Sequence, residues 1–313
     1  MRISNKKVGI LGVPLGYGAG KIGSELGVTA MRLSNVRGRT LREHIDHLGY
    51  EVTDHGDAEI VKPEEPLATG NPRFLKEMLA SCEKIRPKIG EMLVASEIPV
   101  ILGGDHAIAI PTFSAIAAHK RETGAGDVGL IWFDAHADIN TSETSPSGNI
   151  HGMPLAVLLG EGDASLVNIN GFAPKLKPEY FAHVGLRDPD DGEKEMIHRL
   201  GLRDRFFTMS DIDDRGMAAC VADAIAIAGK APGGYAVTFD IDCMDPTFAP
   251  GSGTLVRGGL TYREAHLALE TIAEDGGLIS FEMVEVNPLL DHSNITVELA
   301  CELILSALGK TIL

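Results

Sequence analysis

Three side chains that could bind a metal ion follow one apolar run of the sequence. The run VGLIWF at 128–133 is short and rich in β-formers, which is typical of a buried parallel strand. It leads into Asp134, His136 and Asp138, which share one parity, so an extended chain would place all three side chains on one face. Neighbouring carboxylates repel each other unless a cation or a proton intervenes, and histidine adds a nitrogen donor. The pattern indicates a divalent-metal site, the alternative being an ordinary polar loop.

Other ligand-type residues stand in the same place relative to other apolar runs. Predicted strands beginning at 98, 235 and 278 lead to His106, to Asp240 with Asp242, and to Glu285. In an α/β sheet, ligands bind beyond the carboxyl ends of the strands. We therefore expect all these side chains to meet at one site.

Apolar runs and helical patterns alternate along the whole chain. This alternation predicts one α/β domain over residues 1–313, with three αβα layers around a central, mostly parallel sheet. The predicted strands lie at 8–13, 98–102, 128–133, 181–185, 206–209, 235–239 and from 278. Predicted helices include those at about 28–36, 39–48, 72–96, 192–200 and 295–308. Ser210 or Asp211 would cap an alanine-rich helix that runs to about Ala228.

Composition limits the classes of partner. With 44 acidic and 28 basic residues the formal net charge is -16, which argues against nucleic acid or an anionic membrane surface as a partner and favours a small cationic substrate. The four cysteines form no C-x-x-C pair, so we expect free thiols and a cytoplasmic protein. The sequence shows neither a signal-peptide pattern nor an apolar run of about 18 residues.

The number of candidate ligands favours two metal ions over one. Four aspartates and two histidines exceed what a single zinc with an open position uses, and they suit two divalent ions bridged by carboxylate and water. Oxygen-rich ligation favours manganese by ligand hardness. A mononuclear zinc deacetylase on a related sheet would not need both histidines and all four aspartates.

Five motifs together carry a resemblance to a known family. They are GGDH at 103–106, DAHAD at 134–138, SGNIHGMP at 147–154, DIDCMDP at 240–246 and EVNP at 285–288. In this order and spacing they resemble the ureohydrolase family of arginases and agmatinases, and arginases most closely. The similarity covers nearly the whole chain, so it also implies the arginase-like fold.

The resemblance implies hydrolysis of a guanidinium, that of L-arginine, to urea and an amine, L-ornithine, by a hydroxide that bridges two Mn²⁺. One ion would be held by His106, Asp134, Asp138 and Asp240, and the other by Asp134, His136, Asp240 and Asp242. Three further roles are implied for Asp138, His151 and Glu285: accepting a hydrogen bond from the hydroxide, shuttling protons to the leaving amine and pairing with the guanidinium. Thr254 would add a contact. For His151 alone, an ordinary loop histidine is the alternative.

A second set of residues resembles the arginase groups that contact the far end of the substrate. Asp190 and Glu193 would face the α-amino group, and Asn140, Ser147 and Asn149 would hydrogen-bond the α-carboxylate. The alternative for the two acids is a solvated helix start, where the helix dipole favours acidic residues.

Some positions depart from the family pattern. Ala107 stands where Ser is usual, Glu282 stands where Asp is usual, and the loop at 12–23 differs from the expected one. These departures keep agmatine and 4-guanidinobutyrate open as substrates. A non-catalytic, metal-binding regulatory member would lack a ligand or a shuttle, and none is missing. Arg263 and Glu264 resemble a subunit-contact segment, which implies a homotrimer or homohexamer.

Overall fold

Eight parallel strands form one sheet at the centre of the computed structural model, which describes residues 6–64 and 70–312. The order across the sheet is β2-β1-β3-β8-β7-β4-β5-β6. In chain order the strands are β1 Lys7–Val13, β2 Glu51–Asp57, β3 Glu97–Gly103, β4 Gly129–Phe133, β5 Phe181–Leu186, β6 Phe206–Thr208, β7 Tyr235–Asp240 and β8 Leu278–Val284.

Helices cover both faces of the sheet. They are α1 Gly27–Leu33, α2 Leu41–His47, α3 Leu75–Val94, α4 Ala109–Glu122, α5 Pro154–Leu159, α6 Ala164–Val167, α7 Asp191–Arg199, α8 Met209–Arg215, α9 Met217–Ala228, α10 Tyr262–Asp275 and α11 Ile295–Ala307. One apolar core lies under α1, α2 and α8 to α11, and the other lies under α3 to α7. The predicted three-layer α/β class is therefore confirmed.

The connections of the chain place side by side the four strands that are followed by predicted ligand residues. From β1 the chain forms β2 on one side and β3 on the other, then crosses to β4 and builds outward through β5 and β6. The last two strands, β7 and β8, return to fill the space between β3 and β4. The central order β3-β8-β7-β4 thus brings together the carboxyl ends of strands that are far apart in sequence.

Two features differ from the sequence prediction. The edge strand β2 was not predicted, because its sequence EVTDHGD is polar and largely exposed and carries no apolar alternation. The alanine-rich helix is divided at Gly216, whose φ of 80° ends α8, and Thr208 rather than Ser210 or Asp211 is the N-cap. Asp211 instead completes the capping box with Thr208.

Within the described part of the chain, none of the helices combines the length and the apolar character that crossing a membrane requires.

Candidate metal centre

His106 lies three residues after the end of β3, and its ring nitrogen Nδ1 is surrounded by carboxylates. Its Nδ1 is 3.1 Å from an oxygen of Asp134, 3.1 Å from one of Asp138 and 3.3 Å from one of Asp240. This nitrogen is buried and has no hydrogen-bond partner among the described residues. Gly104 permits the tight approach of the chain here, because a Cβ at that position would overlap the carbonyl oxygen of Leu15.

The segment after β4 delivers its three ligand-type side chains through a bend. The strand ends at Phe133, and Asp138 adopts a left-handed conformation with φ 51°. The convergence of the three side chains therefore does not come from an extended chain, as the parity argument assumed. Asp134 is held by Trp132 Nε1 at 3.0 Å and by the backbone N–H of His136 at 2.7 Å.

The loop after β7 supplies two more aspartates. Asp240 ends the strand and accepts a hydrogen bond from the backbone N–H of Asp242 at 2.8 Å, which starts a short 3-10 helix. Asp242 lies 3.1 Å from Nδ1 of His136 and accepts a hydrogen bond from Thr254 at 2.8 Å. Cys243 points away into the core, where its thiol lies 3.6 Å from Val184 O.

Six side chains form what we call the deep cluster: His106, Asp134, His136, Asp138, Asp240 and Asp242. It contains two sets of three donors whose ligand atoms lie within 4.8 Å of one another, and Asp134 belongs to both sets. Burial and the charges of Asp242 and Asp134 raise the pKa of Asp240 well above its ordinary value, and burial raises the pKa of Asp138 to about 6. Cations would relieve this repulsion, so the donor set fits a pair of divalent ions.

His151 forms a pair with Glu285 beside the deep cluster. Its Nδ1 is 3.0 Å from Oε1 of Glu285, and the same oxygen accepts the backbone N–H of His106 at 3.0 Å. Burial alone would lower the pKa of His151, but the hydrogen bond to the carboxylate outweighs it and raises the pKa to about 9. Glu285 has φ 61°, a strained conformation of the kind that clusters at functional sites.

An open cavity of about 230 Å³ adjoins the deep cluster, from which His136, Asp138 and Asp240 contribute to its wall. His151 and Thr254 also line it. The lining also contains four of the predicted substrate contacts, which we call the rim: Asn140, Ser147, Asp190 and Glu193. The remaining predicted contact, Asn149, is outside this lining, where its Oδ1 accepts a hydrogen bond from Arg73 at 3.2 Å.

Three of the four rim residues, Asn140, Asp190 and Glu193, are hydrogen-bonded to one another. Asp190 is the N-cap of α7 and forms a capping box with Glu193. The alternative interpretation of these two acids, as residues that start a helix, therefore also applies. Asn140 donates to the other oxygen of Asp190 at 2.8 Å. Glu193 is buried rather than solvated, and burial together with the charge of Asp138 raises its pKa to about 8.

Sequence analysis missed one residue that shapes the site from below. Arg187, at the end of β5, donates to the backbone oxygens of Asp242 at 2.7 Å and Val256 at 2.8 Å. It thereby ties the short 3-10 helix after β7 to the later part of the same loop, at Val256. The only signal in the sequence is a charged residue directly after a buried strand, and its carbonyl partners are visible only in the fold.

Comparison with known proteins gives a consistent result. A model of the Arginase family matches residues 6–309. The arginase of Brevibacillus brevis is 41% identical over 309 residues, covering 99% of this chain and 100% of that protein. The solved arginase structure from Bacillus caldovelox superposes with a TM-score of 0.90 at 41% identity, covering 98% of this chain and 100% of that one. The Entamoeba histolytica arginase, solved in complex with L-ornithine, has a TM-score of 0.86 at 29% identity, covering 99% and 100%.

Proposed function

This chain belongs to the arginase family, and from that premise we propose that it hydrolyses the guanidinium of L-arginine to L-ornithine and urea. The observation that carries the proposal is the pair of donor sets sharing Asp134, next to a cavity that the rim also lines. Family membership supports a hydrolase acting on a guanidino group, and the L-ornithine complex of the Entamoeba relative supports the choice of product.

The deep cluster would hold two Mn²⁺. His106, Asp134, Asp138 and Asp240 would bind one ion, and Asp134, His136, Asp240 and Asp242 the other. Bound ions of this kind supply Lewis acidity that makes water nucleophilic near neutral pH, which a poorly electrophilic guanidinium carbon requires. The unpartnered Nδ1 of His106, facing three carboxylates, supports this assignment.

The neighbouring side chains would manage protons. Asp138 would hold a proton taken from the attacking water, since its oxygens lie at the wall of the cavity. His151 would deliver a proton to the departing amine, and its bond to Glu285 keeps it protonated at neutral pH. Glu285 would also pair with the guanidinium. Overall, the oxygen of the water would bond to the guanidinium carbon, the carbon–nitrogen bond would break, and both protons of that water would pass by way of Asp138 and His151 to the amine, leaving urea.

The rim would select the substrate. An α-ammonium needs acids, which Asp190 and Glu193 supply, and an α-carboxylate needs neutral donors. Ser147 Oγ accepts the backbone N–H of Asn149 at 3.2 Å, a role that leaves its hydroxyl a donor. Asn140 retains a second amide hydrogen after bonding Asp190. Thr254, which lines the cavity, would be a further contact, and Asn149 stays a predicted carboxylate contact although it lies outside that lining.

Relative rates on three substrates test this assignment. L-Arginine should exceed agmatine, which lacks the carboxylate, and 4-guanidinobutyrate, which lacks the amine, by roughly a hundredfold or more in kcat/KM. A site built to bond a polar group rejects an analogue that leaves its own groups unpaired. Urea release by the Mn²⁺-loaded enzyme measures all three. Faster hydrolysis of either analogue would overturn the rim assignment while leaving the metal chemistry intact.

We also propose that the enzyme is a cytoplasmic homotrimer or homohexamer. The four cysteines are free and buried, which fits a reducing compartment. Arg263 is 57% exposed beside Glu270, which lies 3.6 Å away, so its charge is available to another subunit. Glu264 is engaged in the capping box of α10 with Thr261. Light scattering at micromolar concentration should give a mass of three or six chains, and a monomer would contradict the proposal.

A further inference from the structure

A buried hydrogen-bond chain runs from the deep cluster down into the core. Nε2 of His106 is 2.9 Å from Oγ1 of Thr238, and this hydroxyl donates to Oε1 of Glu282 at 2.9 Å. The other carboxylate oxygen, Oε2, accepts from Thr112 on α4 at 2.7 Å. Thr238 and Glu282 are paired residues on the adjacent strands β7 and β8. All four side chains are buried.

The direction of this chain determines which nitrogen of His106 carries hydrogen. Thr238 has one hydroxyl hydrogen, which goes to Glu282, so its oxygen is left to accept from Nε2–H of His106. A histidine binds a metal ion as the neutral imidazole, which has only one N–H. With that hydrogen on Nε2, Nδ1 would present its lone pair to a metal ion, and Nδ1 is the atom that faces the three carboxylates of the deep cluster.

We propose that Thr238 and Glu282 are positioning residues that hold His106 as an Nδ1 donor for one of the two metal ions. The inference rests on the proposed metal-dependent function. Metal-binding histidines commonly donate their second N–H to a carboxylate or carbonyl, which sets both the tautomer and the ring orientation. Here a threonine hydroxyl is interposed between the ring and the carboxylate. Stacking of the His106 ring on Trp132, with centroids 4.2 Å apart, restrains the same ring from the side.

The length of the Glu282 side chain suits this role. Its two oxygens contact hydroxyls on different elements, Thr238 on the sheet and Thr112 on the helix above it. An aspartate, which the family resemblance predicts at this position, is one methylene shorter, about 1.5 Å. From the same backbone position it would withdraw from one hydroxyl or both. The departure at residue 282 is thus coupled to the way His106 is held.

Two isosteric variants separate positioning from packing. Thr238→Val removes the hydroxyl between Glu282 and His106. Thr112→Val removes a hydroxyl that bonds the same buried carboxylate but does not touch His106, so it is the matched control. The single hydroxyl hydrogen of Thr112 has two acceptors in reach, Glu282 Oε2 at 2.7 Å and Ile108 O at 3.0 Å, so the control also removes a buried hydrogen bond to the same carboxylate.

The measurement is Mn²⁺ binding to the full-length, metal-free protein by calorimetry and by chelator competition. Thr238→Val should lower the affinity for one of the two Mn²⁺ ions by roughly 10- to 100-fold. Thr112→Val should bind both ions with affinities within about twofold of wild type. Thr238→Ser keeps the hydroxyl and should restore the affinity. Glu282→Met removes the acceptor at similar length and should weaken the same ion. Thermal unfolding of each metal-free variant shows whether it folds.

Two results would overturn the inference: unchanged affinity for both ions in Thr238→Val, or an equal loss in Thr112→Val. Urea release by the wild type in the same preparations separates this failure from that of the proposed function. If the wild type is active and Thr238→Val binds both ions as tightly as the wild type does, only the positioning role is rejected. A wild type that binds no Mn²⁺ rejects both proposals.

Discussion

The deep cluster and the rim are both rich in acidic residues, but the surroundings of those acids differ. In the deep cluster, carboxylates crowd around an unpartnered ring nitrogen, and burial raises the pKa of Asp240. On the rim, Asp190 and Glu193 bond each other's backbone N–H groups, and Asn140 takes the remaining oxygen of Asp190. The deep cluster thus contains a buried ring nitrogen without a hydrogen-bond partner among the described residues, whereas Asp190 and Glu193 already have hydrogen-bond partners, although burial raises the pKa of Glu193 as well.

This contrast shows how strongly each region identifies the ligand that it binds. Buried like charges that converge are costly even when each carboxylate accepts hydrogen bonds, so their convergence is explained by a cation that the cluster is built to bind. Satisfied pairs have a structural reason to exist, such as the capping of α7, and a ligand contact is an additional role. The deep cluster therefore identifies its ligand class more strongly than the rim does.

The largest expected effect comes from Asp134, which belongs to both donor sets. Asp134→Asn should remove both ions and lower kcat/KM by roughly a thousandfold or more, about 4 kcal/mol of barrier. His106 belongs to one set, so His106→Asn should lose one ion and less activity. Elemental analysis and urea release measure the two quantities.

Asp245→Asn is a matched control for the loss of charge. Asp245 lies in the loop that carries Asp242 but outside both donor sets, and it bonds Thr247 and the backbone of Gly258. It should retain two ions per subunit. If Asp134→Asn retained both ions and full activity, the interpretation of the deep cluster as the metal site would be wrong.

A smaller effect separates the two roles of Asp190. Asp190→Asn keeps a good N-cap but removes the charge, whereas Asp190→Ala removes both. Both variants should lower kcat/KM for L-arginine roughly 10- to 100-fold and change 4-guanidinobutyrate hydrolysis far less, since that substrate has no ammonium. Only the alanine variant should also lose about 1 kcal/mol of unfolding free energy. Equal losses on both substrates would make Asp190 a purely structural residue.

The smallest expected effect concerns a neutral histidine behind the deep cluster. His183 is fully buried, and its Nε2 donates to His136 O at 2.7 Å. Burial lowers the pKa of His183 to about 4, so between about pH 6.5 and 4 the unfolded chain binds more protons than the native protein. Stability from this residue is present above pH 6.5 and is lost as the pH falls.

His183→Gln tests that sign, because an amide can still donate to the carbonyl but does not titrate. Lowering the pH from about 7 to about 5 should cost the wild type roughly 2 kcal/mol more unfolding free energy than the variant. Urea unfolding of both proteins at the two pH values measures this difference. The other titrating groups are common to the two proteins, so their contributions cancel in the comparison. Identical pH dependence would show that His183 is not held neutral.

The sequence by itself determined the fold class and the kinds of residue in the deep cluster. Apolar runs that end in Asp, His or Glu specify both a buried parallel strand and a polar group at its carboxyl end. The pattern is local in the sequence, so it can be recognised before the structure is known. The polar edge strand β2 lacks it and was missed for that reason.

Only the tertiary structure decided which of these groups touch. The late return of β7 and β8 between β3 and β4 sets Asp240 beside His106, and the left-handed turn at Asp138 brings a third oxygen to the same nitrogen. The bonds from Thr238 to Glu282 and from Arg187 to Asp242 likewise join separate strands and loops. Contacts of this kind depend on the order of strands in the sheet, which residue spacing along one chain does not encode.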